Sequence, residues 1–172
     1  MYEPRINTYW VIARAGGFRC SDVIELKVSD IKRALKQGYF DFNERKTKKQ
    51  RKNYIEKDVE LEILEIISSM QDYEYIIQSQ KGVNQPLTQR QLQRLIVKYG
   101  RRCGIKDIGT HTPRKTSGYH LYVETGDIYE VKDFLDHDNL RDTYAYIDVP
   151  DERRKQQAKH TNNPYKKLRR SQ

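Results

Sequence analysis

The sequence predicts a mainly helical chain carrying one small antiparallel β element, an α+β fold. Three observations predict it. Apolar residues recur at three- and four-residue spacing through most of the chain, the pattern of helices with one buried face. A single stretch, GYFDFN at residues 38–43, alternates instead, with Tyr39, Asp41 and Asn43 opposed to Phe40 and Phe42, as a strand requires. The chain has 172 residues and 36% hydrophobic content, with its apolar residues clustered rather than diluted, so it can build one domain around one core.

The elements follow in order. Ile6, Tyr9, Trp10 and Ala13 recur at helical spacing, which predicts a helix over 5–15. It stops at Gly16-Gly17, because glycine reaches the left-handed backbone of a helix C-terminus at no steric cost. Ser21 and Asp22 read as caps of a second short helix through Val23, Ile24 and Leu26, and Ser29-Asp30 as another cap or turn. RKNYIEK, residues 51–57, returns as the hairpin partner of the GYFDFN strand, with the basic stretch 45–52 as the turn. In DVELEILEIISSM, Val59, Ile63, Ile66 and Ile67 share one helix face, widened by Leu61, Leu64 and Met70. YEYIIQSQ, residues 73–80, reads as a strand or an extended strip. LTQRQLQRLIVKYGRRCG starts a helix at Thr88 and stops it at Gly104, with Leu92, Leu95, Ile96 and Tyr99 inward. Thr112-Pro113 opens the next helix, since proline is tolerated in a first turn. GDIYEVKDFL and DNLRDTYAYI are two further short helices. Residues 1–150 thus form the folded domain. The last 22 residues, 151–172, change character. They carry Arg153, Arg154, Lys155, Lys159, Lys166, Lys167, Arg169 and Arg170 against Asp151 and Glu152, a net +6, and are too polar to fold alone.

Charge narrows the partners. The formal net charge of +9 favours a polyanion, nucleic acid before an anionic membrane. Cys20 and Cys103 are the only cysteines, with neither CxxC spacing nor histidines at metal-ligand intervals, which argues against a zinc site and fits a reducing cytoplasm. No apolar run approaches the roughly 20 residues of a membrane span. The first residues, MYEPRINTYWVIARAGG, carry charges throughout and do not form a signal peptide.

Several residues have chemistry that suits a phosphodiester. Arginine binds phosphate bidentately and never loses its charge, which recommends Arg19 after the Gly-Gly turn and Arg114. His111 and Arg114 stand three apart in HTPR at a helix start, so they can address neighbouring phosphate oxygens. His137 lies between aspartates in LDHD, and Tyr146 follows nine positions later. A tyrosine hydroxyl, with a pKa of about 10, needs nearby positive charge or a base to become a nucleophile. Singly, each has a plainer reading. Arginines in such places are usually solvated, an HxxR recurs by chance, and Tyr129, Tyr144 and Tyr146 each suit packing in a chain with 13 tyrosines. Within ERKTKK and the residues after it, a run of phosphate-contacting charges is the plain reading for Arg45, Lys48, Lys49, Arg51 and Lys52.

Taken in order, these segments resemble the catalytic domain of the tyrosine recombinase (phage integrase) family. GGFRCSDVIELKVSDI resembles the family's first-arginine box, a small-residue turn, Gly-Leu-Arg, then a serine–acid pair. Lys46, in a Lys-Thr step after a strand, resembles the β-hairpin lysine. HTPRKTSGYHLY resembles the HxxR box, and LDHDNLRDTYAYI the final Gly-His and nucleophile boxes. The resemblance covers residues 5 to 148, about the whole domain. It departs at Pro113, where the family usually has leucine, and at Asp136, where it has glycine before the last histidine.

The resemblance implies a tyrosine recombinase catalytic-domain fold and a set of roles. Tyr146 is the nucleophile forming a 3′-phosphotyrosyl link. Arg19, Arg114 and His137 stabilise the transition state, with Asp22 as the acidic neighbour of Arg19. Lys46 protonates the leaving oxygen, and His111 acts as acid/base. The implied partner is double-stranded DNA with self-association into a tetrameric synapse, without cofactor or metal. The family's N-terminal core-binding domain is not expected within this chain. The alternative is a catalytically inactive DNA-binding regulator or remnant that keeps the fold.

Overall fold

The computed structural model describes residues 3–41 and 52–147. Its elements run α1 (Pro4–Gly16), α2 (Cys20–Val23), α3 (Val28–Gln37), β1 (Tyr39–Phe40), β2 (Asn53–Tyr54), α4 (Lys57–Ile67), α5 (Gln89–Arg102), α6 (Thr112–Thr125), α7 (Ile128–Phe134) and α8 (Leu140–Ile147). The mainly helical prediction with one small antiparallel pair holds.

α1 is the central helix. Glu3 caps it by accepting the Arg5 N–H at 3.3 Å, and Gly17 ends it in the left-handed region at φ 59°. It packs against α4, α5, α6 and β2, so it buries Thr8, Tyr9, Val11, Ile12 and Ala13, more than the single face its spacing suggested. The hairpin base is fixed to the end of this helix. Tyr39 pairs with Tyr54 and Phe40 with Asn53. Phe40 meets Phe18 edge-on at 5.2 Å, and the Asn53 amide donates to the Gly16 carbonyl at 2.6 Å. The expected strand residues Phe42 and Asn43 and most of the basic turn lie outside the described residues.

Four local expectations change. Ser21 and Asp22 lie inside α2 rather than capping it; Arg19 occupies the cap position in an extended conformation. Asp30 belongs to a ten-residue helix, α3, and caps it from within by accepting the Lys27 N–H at 3.0 Å. On α4 the face is narrower than expected. Ile63 and Ile67 are buried, while Leu61 and Leu64 are 60% and 44% exposed, because α4 is covered on one side only, by α1. The 73–80 segment is neither a strand nor a continuous extended strip but a turn and bends with isolated antiparallel bridges, Lys27 with Tyr75 and Gln78 with Pro86. Its buried Ile76 and Ile77 are pinned by Ile76 N–H to Leu26 O at 3.0 Å and Leu87 N–H to Ile77 O at 2.9 Å. Thr88 opens α5 with a capping box to Gln91.

The apolar interior comes in two parts. The larger is built from α1 to α5 and the segments between them. The smaller gathers Tyr122 of α6, Ile128 and Val131 of α7, Leu135, and Ile147 of α8, with Tyr144 and Tyr146 packed against it. Among the described residues, no helix is long and apolar enough to cross a membrane.

Candidate active site

Five of the six expected residues converge where the two apolar clusters meet. Arg19 leaves the turn after α1, and its Nη2 lies 3.5 Å from the Asp136 carbonyl oxygen. His111 immediately precedes α6 and is exposed, whereas Arg114, one turn on, is only 2% exposed. The Arg114 guanidinium donates to the carbonyls of Gly17, at the end of α1, and Leu135, just after α7. It therefore clasps the two clusters together. A buried cation is costly unless its N–H groups are matched, and these two acceptors take up two of its five.

Tyr146, on α8, projects toward both histidines. Its hydroxyl oxygen is 3.4 Å from His111 Nδ1. Its ring stands edge-to-face with His137, centroids 5.1 Å apart, and with His111 at 6.4 Å. Tyr144, two positions earlier, packs on the smaller cluster as well, close to Tyr122 and Tyr129. Burial raises the Tyr146 pKa, while the charge and a hydrogen bond of Arg114, and the charge of Arg19, pull it back part of the way. The phenol is thus protonated in the free protein. The neighbouring His111 is shifted the other way. Partial desolvation of its ring by the surrounding groups, although the residue as a whole is exposed, and then the charges of Arg114 and Arg19 lower its pKa, so its ring is neutral at pH 7 and able to accept a proton.

His137 is set more deeply. Its backbone N–H donates to Lys132 O at 3.0 Å, and its Nδ1 is 3.1 Å from the hydroxyl of Thr143, a fully buried residue of α8. Burial, then Arg114 and Arg19, press its pKa down to about 4, with Asp142 and Asp136 acting weakly in the opposite direction. Asp136 itself has φ +47°, a left-handed conformation that glycine adopts freely and aspartate tolerates. That is a backbone reason for glycine at this position in the family pattern.

The remaining expectations divide. Asp22 is buried beside the site, its Oδ1 accepting from Ser21 Oγ at 3.3 Å. Lys46, Arg45, Lys48, Lys49 and Arg51 lie outside the described residues. Lys52 is exposed just before β2, its ammonium 5.0 Å from the Tyr39 ring centroid. Among the described residues, no group of three or more His, Cys, Asp or Glu side chains could hold a metal ion.

Sequence reading missed two supporting groups. One is Thr143, three residues before Tyr146 on the same helix, a spacing that helical periodicity could have flagged. The other is Tyr9, fully buried on α1. Its hydroxyl donates to the carbonyl of Thr110, next to His111, and also bonds Cys20, next to Arg19. No local pattern predicts that link, since its partners are far along the chain. Gln93 of α5 helps to hold the same loop, accepting the Thr110 N–H at 2.8 Å.

A helical domain that gathers two arginines, two histidines and a tyrosine has the groups of one class, the DNA strand-transfer enzymes that work through tyrosine. The chain belongs to the phage integrase family, whose family model matches residues 3–153. It is 35% identical over 134 residues to the probable integrase/recombinase YoeC of Bacillus subtilis (strain 168), covering 78% of this chain and 72% of that protein. The crystal structure of XerA recombinase superposes with a TM-score of 0.70 at 21% identity over 92% of this chain and 57% of that one. A lambda integrase (75–356) dimer bound to a COC' core site gives a TM-score of 0.63 at 22% identity over 83% and 52%. At these identities the structural likeness bears on the fold. The chain spans about half of the solved chains it matches.

Proposed function

We propose that this chain is a site-specific DNA recombinase that cuts and rejoins strands through a 3′-phosphotyrosyl intermediate, with Tyr146 as nucleophile. One observation carries the reading: the Tyr146 hydroxyl stands 3.4 Å from His111 and its ring against His137, with both arginines within electrostatic reach. In the cleavage step the Tyr146 oxygen bonds to the scissile phosphorus and its proton passes to His111. Arg19, Arg114 and His137 bind the non-bridging oxygens as their charge grows. The 5′ oxygen leaves with a proton from Lys46. Rejoining is the reverse, and the phosphotyrosyl bond conserves the energy of the phosphodiester, so the cycle needs no nucleotide cofactor. Asp22 supports the Arg19 turn.

The partner is double-stranded DNA, approached in the cytoplasm and contacted through Arg45, Lys48, Lys49, Arg51 and Lys52. Strand exchange between two duplexes asks for four subunits, hence a tetrameric synapse. The solved relative bound to a DNA core site supports the DNA partner by likeness. Against the alternative of an inactive DNA-binding remnant stands the convergence of five separately encoded groups on one point. The test uses nicked suicide substrates carrying the ends of the element that encodes the chain. A covalent protein–DNA band should form, disappear in Tyr146→Phe and persist in Tyr144→Phe. The reverse pattern would move the nucleophile to Tyr144, and an adduct in both variants would reject either.

A further inference from the structure

Thr143 is fully buried, and its hydroxyl has two acceptors within reach, His137 Nδ1 at 3.1 Å and the Asn139 carbonyl at 3.3 Å. A hydroxyl has one proton, so it can donate to only one of them. The choice decides the state of His137. A neutral imidazole also has a single N–H. If Thr143 donates to Asn139, the N–H must sit at Nδ1 to satisfy the pair, and Nε2 is a bare acceptor. If Thr143 donates to Nδ1, the N–H sits at Nε2.

Two features favour the second arrangement. Asn139 is the cap residue of α8, its side chain accepting the Asp142 N–H at 2.9 Å, and the carbonyl of a cap residue already receives the first bond of the helix. The ring nitrogen, by contrast, would be a half-buried acceptor facing a buried hydroxyl, where an unmatched polar group is costly. The shorter of the two distances also runs to the ring.

We propose that Thr143 is a positioning residue that fixes the tautomer of His137, donating to Nδ1 so that the one N–H of the ring stands at Nε2. This rests on the reading of His137 as a phosphate ligand. On that reading it makes a neutral histidine a hydrogen-bond donor to a developing phosphorane oxygen, with no need to be charged. It also couples the donor to the nucleophile. Thr143 and Tyr146 lie one turn apart on α8, so a shift of this helix misplaces the hydroxyl and the phenol together. The orienting partner of an imidazole is a hydroxyl here, where carboxylates or carbonyls are more usual.

The test is a long-range proton–nitrogen correlation spectrum of the full chain with labelled histidines. There are only four, and His137→Gln assigns the one in question. At neutral pH the wild type should show His137 with an unprotonated Nδ1 and a protonated Nε2. In Thr143→Val both tautomers should appear, and adduct formation on the suicide substrate should fall about tenfold, the lower end of what removing an imidazole's orienting partner costs. DNA affinity should stay unchanged, and Thr143→Ser, which keeps the hydroxyl, should restore both readouts. A protonated Nδ1 in the wild type overturns the proposal. So does a Thr143→Val spectrum identical to wild type, or a Thr143→Ser variant as slow as Thr143→Val. The wild-type and serine arms stand even where valine impairs folding. The spectrum does not depend on cleavage, so a Tyr146→Phe variant that still forms adduct sinks the site reading and leaves the tautomer result to be judged by itself.

Discussion

Arg19 and Arg114 carry the same charge in different surroundings, and that difference separates their roles. Arg19 is partly exposed at a turn, whereas Arg114 is buried with two backbone carbonyls as acceptors. Replacing either with alanine should slow adduct formation by at least about a hundredfold, the usual cost of one preorganised donor. Only Arg114→Ala should also lower stability, by about 2–4 kcal/mol, because it strands two buried carbonyls. Thermal unfolding of both variants checks this, and equal melting temperatures would show that the clasp contributes nothing. The histidines add a pH dependence. His137 titrates near 4 in the folded protein and near 6.5 when unfolded, so between these values the unfolded chain binds more protons. Stability therefore rises with pH across that window and is lost as pH falls through it. His111, also lowered, acts in the same direction. His137→Gln should flatten the rise in melting temperature between about pH 5 and about pH 6.5; curves parallel to wild type would mean that His137 is not held neutral.

At the level of elements, the position of α8 depends on a close approach by α6. A Cβ built at Gly118 would stand 2.9 Å from Leu135 Cδ1 and 3.1 Å from Ile147 Cγ2, both on buried side chains. Alanine in a helix interior gains up to about 1 kcal/mol over glycine, but overpacking a closed core costs about 1–3 kcal/mol, so the steric effect should win. Gly118→Ala is expected to destabilise the domain and, by displacing α8, to weaken adduct formation more than DNA binding. A more stable variant with wild-type cleavage would show that the α6–α8 contact yields freely. The same helices show what the sequence made legible. Thr112-Pro113, Thr88 and Gly16-Gly17 mark helix ends through local chemistry and were readable. The convergence of Arg19, His111, Arg114, His137 and Tyr146 was readable only because their order matched a known family. α3 was not, since Lys27 gives no cap signal and Asp30 acts from inside the helix. Nor was the exposure of Leu61 and Leu64, which depends on how much of α4 the rest of the fold covers. Tyr9 and Thr143 act across the fold or through hydroxyl geometry, and periodicity carries neither.

For the whole molecule, charge is distributed apart from the site that uses it. The residues of the proposed active site are few, and +6 of the net +9 belongs to residues 151–172, beyond α8. Affinity for DNA built on phosphate contacts releases counterions, so its logarithm falls linearly with the logarithm of salt concentration, by about 0.9 for each phosphate neutralised. If the terminal lysines and arginines engage the duplex, deleting 151–172 should make that slope shallower by about 0.9 per lost contact. Affinity should drop most at low salt and converge with the full chain at high salt. The folded domain should be little affected, because 151–172 is too polar and too highly charged to add to an apolar core. Binding isotherms at several salt concentrations, with thermal unfolding of both proteins, distinguish the outcomes. An unchanged slope with a lost synaptic complex would place the terminal charges between subunits rather than on DNA. A large fall in melting temperature would instead mean that 151–172 packs on its own domain rather than on DNA.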